Sequence, residues 1–143
     1  MTGLFLFLTL VLGQTPPPAS AWTWTLYDTE NPIVLAHEVP DTAHLRTTLE
    51  CDTSTGVAQV SVYGFGPATG FVRFASGTAV ATSEIAPARD GTLAAPIRTD
   101  HPAFAAFVAD GRLTATVGDR QRTIEVQPPH LAKLRRFAEL CAG

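Results

Sequence analysis

The densest run of metal-ligating side chains is HEVPDTAH, which holds His37, Glu38, Asp41 and His44. Any of them could bind zinc. A zinc-protease helix needs HExxH, so that both imidazoles share one helical face. Here Asp41 stands where the second histidine belongs, and Pro40 breaks the helix. The stretch reads as a polar loop between two strands. YGFGPATGF offers Gly64, Gly66 and Gly70, but a phosphate cradle needs GxGxxG entering a helix, or a Lys-Ser/Thr pair behind the glycines. Pro67 intervenes and a strand follows, so this is a β-turn loop. Its Tyr63, Phe65 and Phe71 could form an exposed aromatic patch, although aromatics at strand ends are usually core. CDTSTG approaches the aspartic-protease triplet, yet Ser54 takes the glycine position and no second triplet supplies a partner carboxylate. Ser76, in FASGTA, lacks the GxSxG elbow. Asp100-His101 opens a helix, where the Asp100 carboxylate is expected to cap. No nucleophile, base and orienting group assemble, so the reading assigns no catalytic residue, no metal site and no cofactor.

The two cysteines, Cys51 and Cys141, carry a different chemistry. Neither has the close Cys or His neighbour that metal sites show. A reactive thiol remains the other alternative. In an oxidising compartment the simplest pairing is a disulfide, which would close a long loop and pin a terminus that otherwise frays.

The elements that must position these groups begin after a leader. Leu4 to Leu12 is an apolar run interrupted only by Thr9, the length of a signal-peptide core and too short to span a bilayer. Pro16, Pro17 and Pro18 follow, then Ala19-Ser20-Ala21, the small-x-small pattern of a cleavage site. The expected organisation is a signal peptide at 1–21 and a single β-rich domain at 22–143, with no stable membrane span after cleavage. The n-region has no Lys or Arg, which leaves a buried N-terminal segment or a retained membrane anchor as the alternatives. The net charge of −3 gives no electrostatic footprint for nucleic acid.

Period-two alternation dominates the rest. WTWTLYD sets Trp22, Trp24 and Leu26 on one face. LRTTLEC sets Leu45, Thr47, Leu49 and Cys51 on one face, which aims Cys51 at the core. VAQVSVYG aligns Ala58, Val60 and Val62, and GFVRFAS, TAVATSEI and TLAAPIR read as further short strands. RLTATVG and RTIEVQ form a hairpin across Gly118-Asp119-Arg120-Gln121. TDHPAFAAFVADG is a helix over about 101–109, with Asp100 as N-cap, Pro102 in its first turn and Gly111 past its end. PPHLAKLRRFAELCAG is a C-terminal helix over about 130–141, its Leu131, Leu134, Phe137 or Ala138, and Cys141 on one side. The pattern predicts a mainly β fold, a small antiparallel β-sandwich or barrel with two helices packed on the sheet.

In the order of these features the chain resembles small uncharacterised exported, periplasmic proteins of alphaproteobacteria. The residues that carry the resemblance are Trp22 and Trp24, Leu49 to Cys51, Asp100 to Phe107, and Leu134 to Cys141. It implies fold and compartment and transfers no functional residue. More faintly the chain resembles the periplasmic inhibitors of C-type lysozyme. Those are β-barrels with an early cysteine paired to a late one and an SG motif on the inhibitory loop. Ser76-Gly77 matches that motif, without the tyrosine and the aromatic-Trp-Lys-Gly stretch that follow it there. TagO-type secretion proteins share the early tryptophan and late cysteine. The function expected is non-enzymatic binding, or an envelope-associated role, toward an unknown protein or envelope partner. The alternative is a periplasmic inhibitor of a cell-wall hydrolase. The candidate interaction loop comprises Ser76, Gly77, Tyr63 and Phe65.

Overall fold

Alternating apolar residues produce nine strands in the computed structural model, which describes residues 15–87 and 90–142. The first sheet has the order β1 (Thr23–Tyr27), β2 (Ile33–Glu38), β3 (Leu45–Cys51), β4 (Val57–Val62) and β7 (Leu93–Arg98). The second has β6 (Ala79–Glu84), β5 (Phe71–Ser76), β8 (Arg112–Val117) and β9 (Arg120–Glu125). Every pairing is antiparallel. The mainly β expectation with two helices is met. The apolar leader run Leu4 to Leu12 lies outside the described residues, while Ala19–Ala21 forms a short 3-10 turn. No helix among the described residues is long and apolar enough to cross a membrane.

Register turns the alternation into layers. Across the inner face of the first sheet, Leu26, Leu35, Leu49, Val60 and Ala95 form one apolar row. A parallel row runs Trp24, His37, Thr47, Val62 and Leu93. From the second sheet Val72, Phe74, Leu113, Ala115 and Ile124 join the same core. Pro96 sits in β7, an edge strand, where a missing N–H costs no central ladder bond.

IVLAHE is a strand that the reading of HEVPDTAH as a loop misses. His37 and Glu38 belong to β2, which ends with a register shift at that pair, and only Val39 to His44 form the loop. The last hairpin is also tighter than expected. Val117 pairs with Arg120, so the turn is Gly118-Asp119 and β9 begins at Arg120. The positive φ of Gly118, 59°, suits the first position of a two-residue hairpin turn.

Helix α1 spans Pro102–Asp110 and buries Ala103, Phe104 and Phe107. Its N-cap is His101, whose Nδ1 accepts the Ala103 N–H at 3.0 Å. Asp100 does not cap. Its two carboxylate oxygens accept from the Arg98 guanidinium, each at 2.9 Å. A charge-assisted fork two residues away outcompetes one neutral amide, and the residue before Pro102 at helix position one is the geometric cap. Gly111 ends the helix at φ 77°, and a Cβ there would lie 2.3 Å from the Val126 carbonyl oxygen, so only glycine fits.

Helix α2, Leu131–Ala142, packs on β1, β2 and β4 through Leu134, Phe137 and Cys141. Of the two candidates for the third apolar position, Phe137 is buried and Ala138 is partly so. Cys141 is bonded to Cys51, 90 positions away in sequence, with Cα atoms 5.7 Å apart. The CDTSTG turn completes the join. Ser54 N–H and Gly56 N–H donate to the Leu140 and Cys141 carbonyls at 3.2 and 2.9 Å. Those acceptors have no partner within a helix end. The stretch that faintly suggested a protease triplet is the C-cap of the last helix.

Candidate functional site

Opposite the disulfide, the inward row of the first sheet turns polar. Parity alone places His37 of β2 beside Thr47 of β3 on the core side, followed by Val62 of β4. Across from them runs β9 and its continuation, Arg122 to Gln127. Between the two sheets lies a cleft of about 300 Å³, lined by His37, Arg46, Thr47, Tyr63, Arg122 and Gln127 among others.

Two tryptophans pack behind the lining residues His37 and Arg46. Trp24, 1% exposed, donates its indole N–H to the Glu125 carbonyl at 3.0 Å, which ties β1 to β9. Lys133 of α2 donates to the Trp24 carbonyl at 2.5 Å, so the one lysine of the chain anchors the helix to the first strand. The His37 ring stacks on Trp24 with centroids 4.7 Å apart and planes 8° from parallel. Trp22 lies beside it, 5.5 Å from His37 and 6.4 Å from His44. The Arg46 guanidinium covers the Trp22 ring at 4.0 Å, a cation–π contact. The buried Trp22 indole N–H finds no acceptor among the described residues.

Arg46 and Arg122 line the cleft, Arg120 precedes Arg122 on β9, and the three are engaged to different degrees. Arg120 stacks over Phe65 at 4.9 Å and donates to the Phe65 and Pro67 carbonyls, at 3.4 and 2.6 Å. Arg122 donates through Nη2 to the Gly64 carbonyl at 3.0 Å. Arg46 is held by its flat face alone. The glycine-rich YGFGPATGF loop is therefore a set of carbonyl acceptors that holds two guanidinium groups of β9.

The electrostatics follow from this crowd of cations. Burial, then Arg46 and His130, hold the His37 imidazole below its ordinary range. Burial and Lys133 do the same to His130. Outside the cleft, Tyr27 donates its hydroxyl to Glu38, which raises the phenol. Thus Glu38 pairs with Tyr27 while His37 stacks inside, and HEVPDTAH is divided between two faces. No group of three His, Cys, Asp or Glu side chains able to hold a metal occurs among the described residues.

The four residues of the candidate interaction loop are not brought together. Ser76 is 4% exposed and donates its hydroxyl to the Arg112 carbonyl at 2.7 Å. Gly77, exposed, turns the β5–β6 hairpin beside it. Both lie where β8 begins, whereas Phe65 lies under Arg120, where β9 begins beyond the far end of β8. Tyr63 lines the cleft, and its hydroxyl is 3.5 Å from that of Thr48. Phe65 is core, and of the three aromatics in that stretch only Phe71 is strongly exposed. Sequence reasoning missed Arg46, Thr47, Arg122 and Gln127. The available signal was Thr47, a hydroxyl on the apolar phase of β3. No protein-family model, curated protein or solved structure matches this chain.

Proposed function

We propose that this chain is an exported, disulfide-stapled β domain of the bacterial envelope that acts by binding. The observation that carries the reading is the Cys51–Cys141 bond, with both sulfurs buried, between a central strand and the last helix. Such a bond persists in an oxidising compartment and is rare in a reducing cytosol. The apolar leader run, the Ala19-Ser20-Ala21 pattern and the resemblance to small exported proteins support the same compartment. Binding is supported by the inter-sheet cleft, whose volume falls at the small end of ligand pockets and whose polar groups converge on one space.

The test is expression of the full chain in a Gram-negative host, followed by fractionation, N-terminal sequencing and thiol labelling under denaturing, non-reducing conditions. The expected product is an envelope-fraction protein that begins at Trp22 and contains no free thiol. An intact Met1 on a chain whose two thiols both label would overturn the reading.

A further inference from the structure

The two arginines that line the cleft, and Arg120 two residues before Arg122, differ in what remains of their donors, and that difference specifies a ligand. A guanidinium carries five N–H groups, all in its plane. Arg120 uses two nitrogens on backbone carbonyls and its face on Phe65, so it serves the loop. Arg122 has one nitrogen on the Gly64 carbonyl and lines the cleft with the rest. Arg46 presents only its face to Trp22, and no group among the described residues accepts from its edge. Stacking leaves in-plane donors free and fixes their direction, which lowers the ordering cost of a bidentate contact. Glu125 is the sole acidic residue on the lining. Alternation along β9 puts its side chain on the face opposite Arg122 and Ile124, and its carbonyl receives the Trp24 indole. The cleft is thus lined by two guanidinium-bearing residues with unused donors and by Gln127, against one acidic residue, Glu125, whose carboxylate pairs with neither arginine.

We infer that the cleft binds a small oxyanion-bearing molecule, its carboxylate or phosphate group held between the Arg46 and Arg122 guanidinium groups. Planar forks of this kind match both oxyanions. The inference rests on the binding role proposed above and names the ligand class for it.

The chain contains two tryptophans, Trp22 under Arg46 and Trp24 stacked on His37, so intrinsic fluorescence reports on the side chains of this site. The oxidised exported protein is titrated with citrate and, separately, with inorganic phosphate, at neutral pH and constant ionic strength. A saturable change with either probe is expected. Saturation by citrate alone assigns a carboxylate ligand, and saturation by phosphate alone assigns a phosphate ligand. Arg46→Gln and Arg122→Gln should each weaken binding about tenfold or more, the scale of a lost charge-assisted pair. Arg73→Gln, an exposed arginine on the other face of β5, should leave it unchanged. Circular dichroism verifies that each variant is folded. Should Arg46→Gln not fold, Arg46→Lys keeps the charge without the fork and should still weaken binding. No saturable response to either probe, or binding by the folded Arg46 and Arg122 variants as tight as that of the unsubstituted protein, overturns the inference. A silent titration of folded, oxidised protein removes this ligand class and leaves export standing. A reduced cytosolic chain would defeat export without touching the cleft.

Discussion

The two ends of the same three strands differ in kind. At one end β3 finishes in Cys51, covalently joined to α2, and the neighbouring turn caps that helix with two backbone N–H groups. At the other end the inward row presents His37 and Thr47 where apolar side chains would close the core. The middle row of leucines and valines separates them. A sheet built this way is closed by apolar packing and a covalent bond at one end, and at the other carries a half-buried His37 and a buried Thr47 where the sheets part. Preorganised polar groups at the edge of a fixed scaffold are what a binding site requires. The contrast teaches that the staple and the cleft are one design on one set of strands.

The strongest way to break the comparison is to remove the staple. Cys51→Ser or Cys141→Ser should each cost about 2–5 kcal/mol, as expected for a long loop released in a small domain. The double variant should cost no more than either single, because one bond is lost in each. Chemical denaturation measures all three, and additive losses would show that each sulfur acts alone. A second pair of variants compares neighbours on one strand. Leu49→Ala, at a fully buried position of the middle row, should lose about 2–5 kcal/mol. Thr47→Val, one inward position nearer the cleft, exchanges a buried hydroxyl for a methyl without opening a cavity and should change stability by about 1.5 kcal/mol or less, the scale of one hydrogen bond. Equal losses would mean that the Thr47 hydroxyl matters to the fold as much as the packing of Leu49 does.

The smallest effect concerns pH. The folded-state imidazoles of His37 and His130 lie below their ordinary range. From about pH 6.5 downward the unfolded chain therefore binds more protons than the folded one. Stability is whole above that pH and falls as the pH drops toward the folded-state values, with no further loss from these groups below them. His37→Gln should lower the midpoint of thermal unfolding at every pH, since it forfeits the stack on Trp24, but flatten the decline below pH 6.5. An unchanged slope would place the acid sensitivity elsewhere, away from the cleft.

Much of this was legible without coordinates. The phase of LRTTLEC pointed Cys51 inward, the stripe of LAKLRRFAELCA did the same for Cys141, and the two periodicities met in one bond. The strands of the second sheet and both helices were equally readable, since local alternation reports which face is apolar. Boundaries and partners were not. Which side chain caps α1 turned on a competition for Asp100 that Arg98 wins. The strand IVLAHE was hidden because its last two residues carried the histidine and glutamate of a metal-like motif.

What the residues decided by themselves is therefore the fold class, the inward face of each strand and the pairing of two sulfurs, all consequences of local periodicity and hydrophobic burial. What only the tertiary structure decided is the cleft. Arg46 and Arg122 are 76 positions apart in sequence, and on their own strands each reads as an ordinary solvated charge. They face one space only because β9 returns past the first sheet to receive the Trp24 indole, leaving guanidinium edges that no nearby carboxylate engages. That outcome depends on long-range registry between sheets. Alternation within a strand carries no information about it.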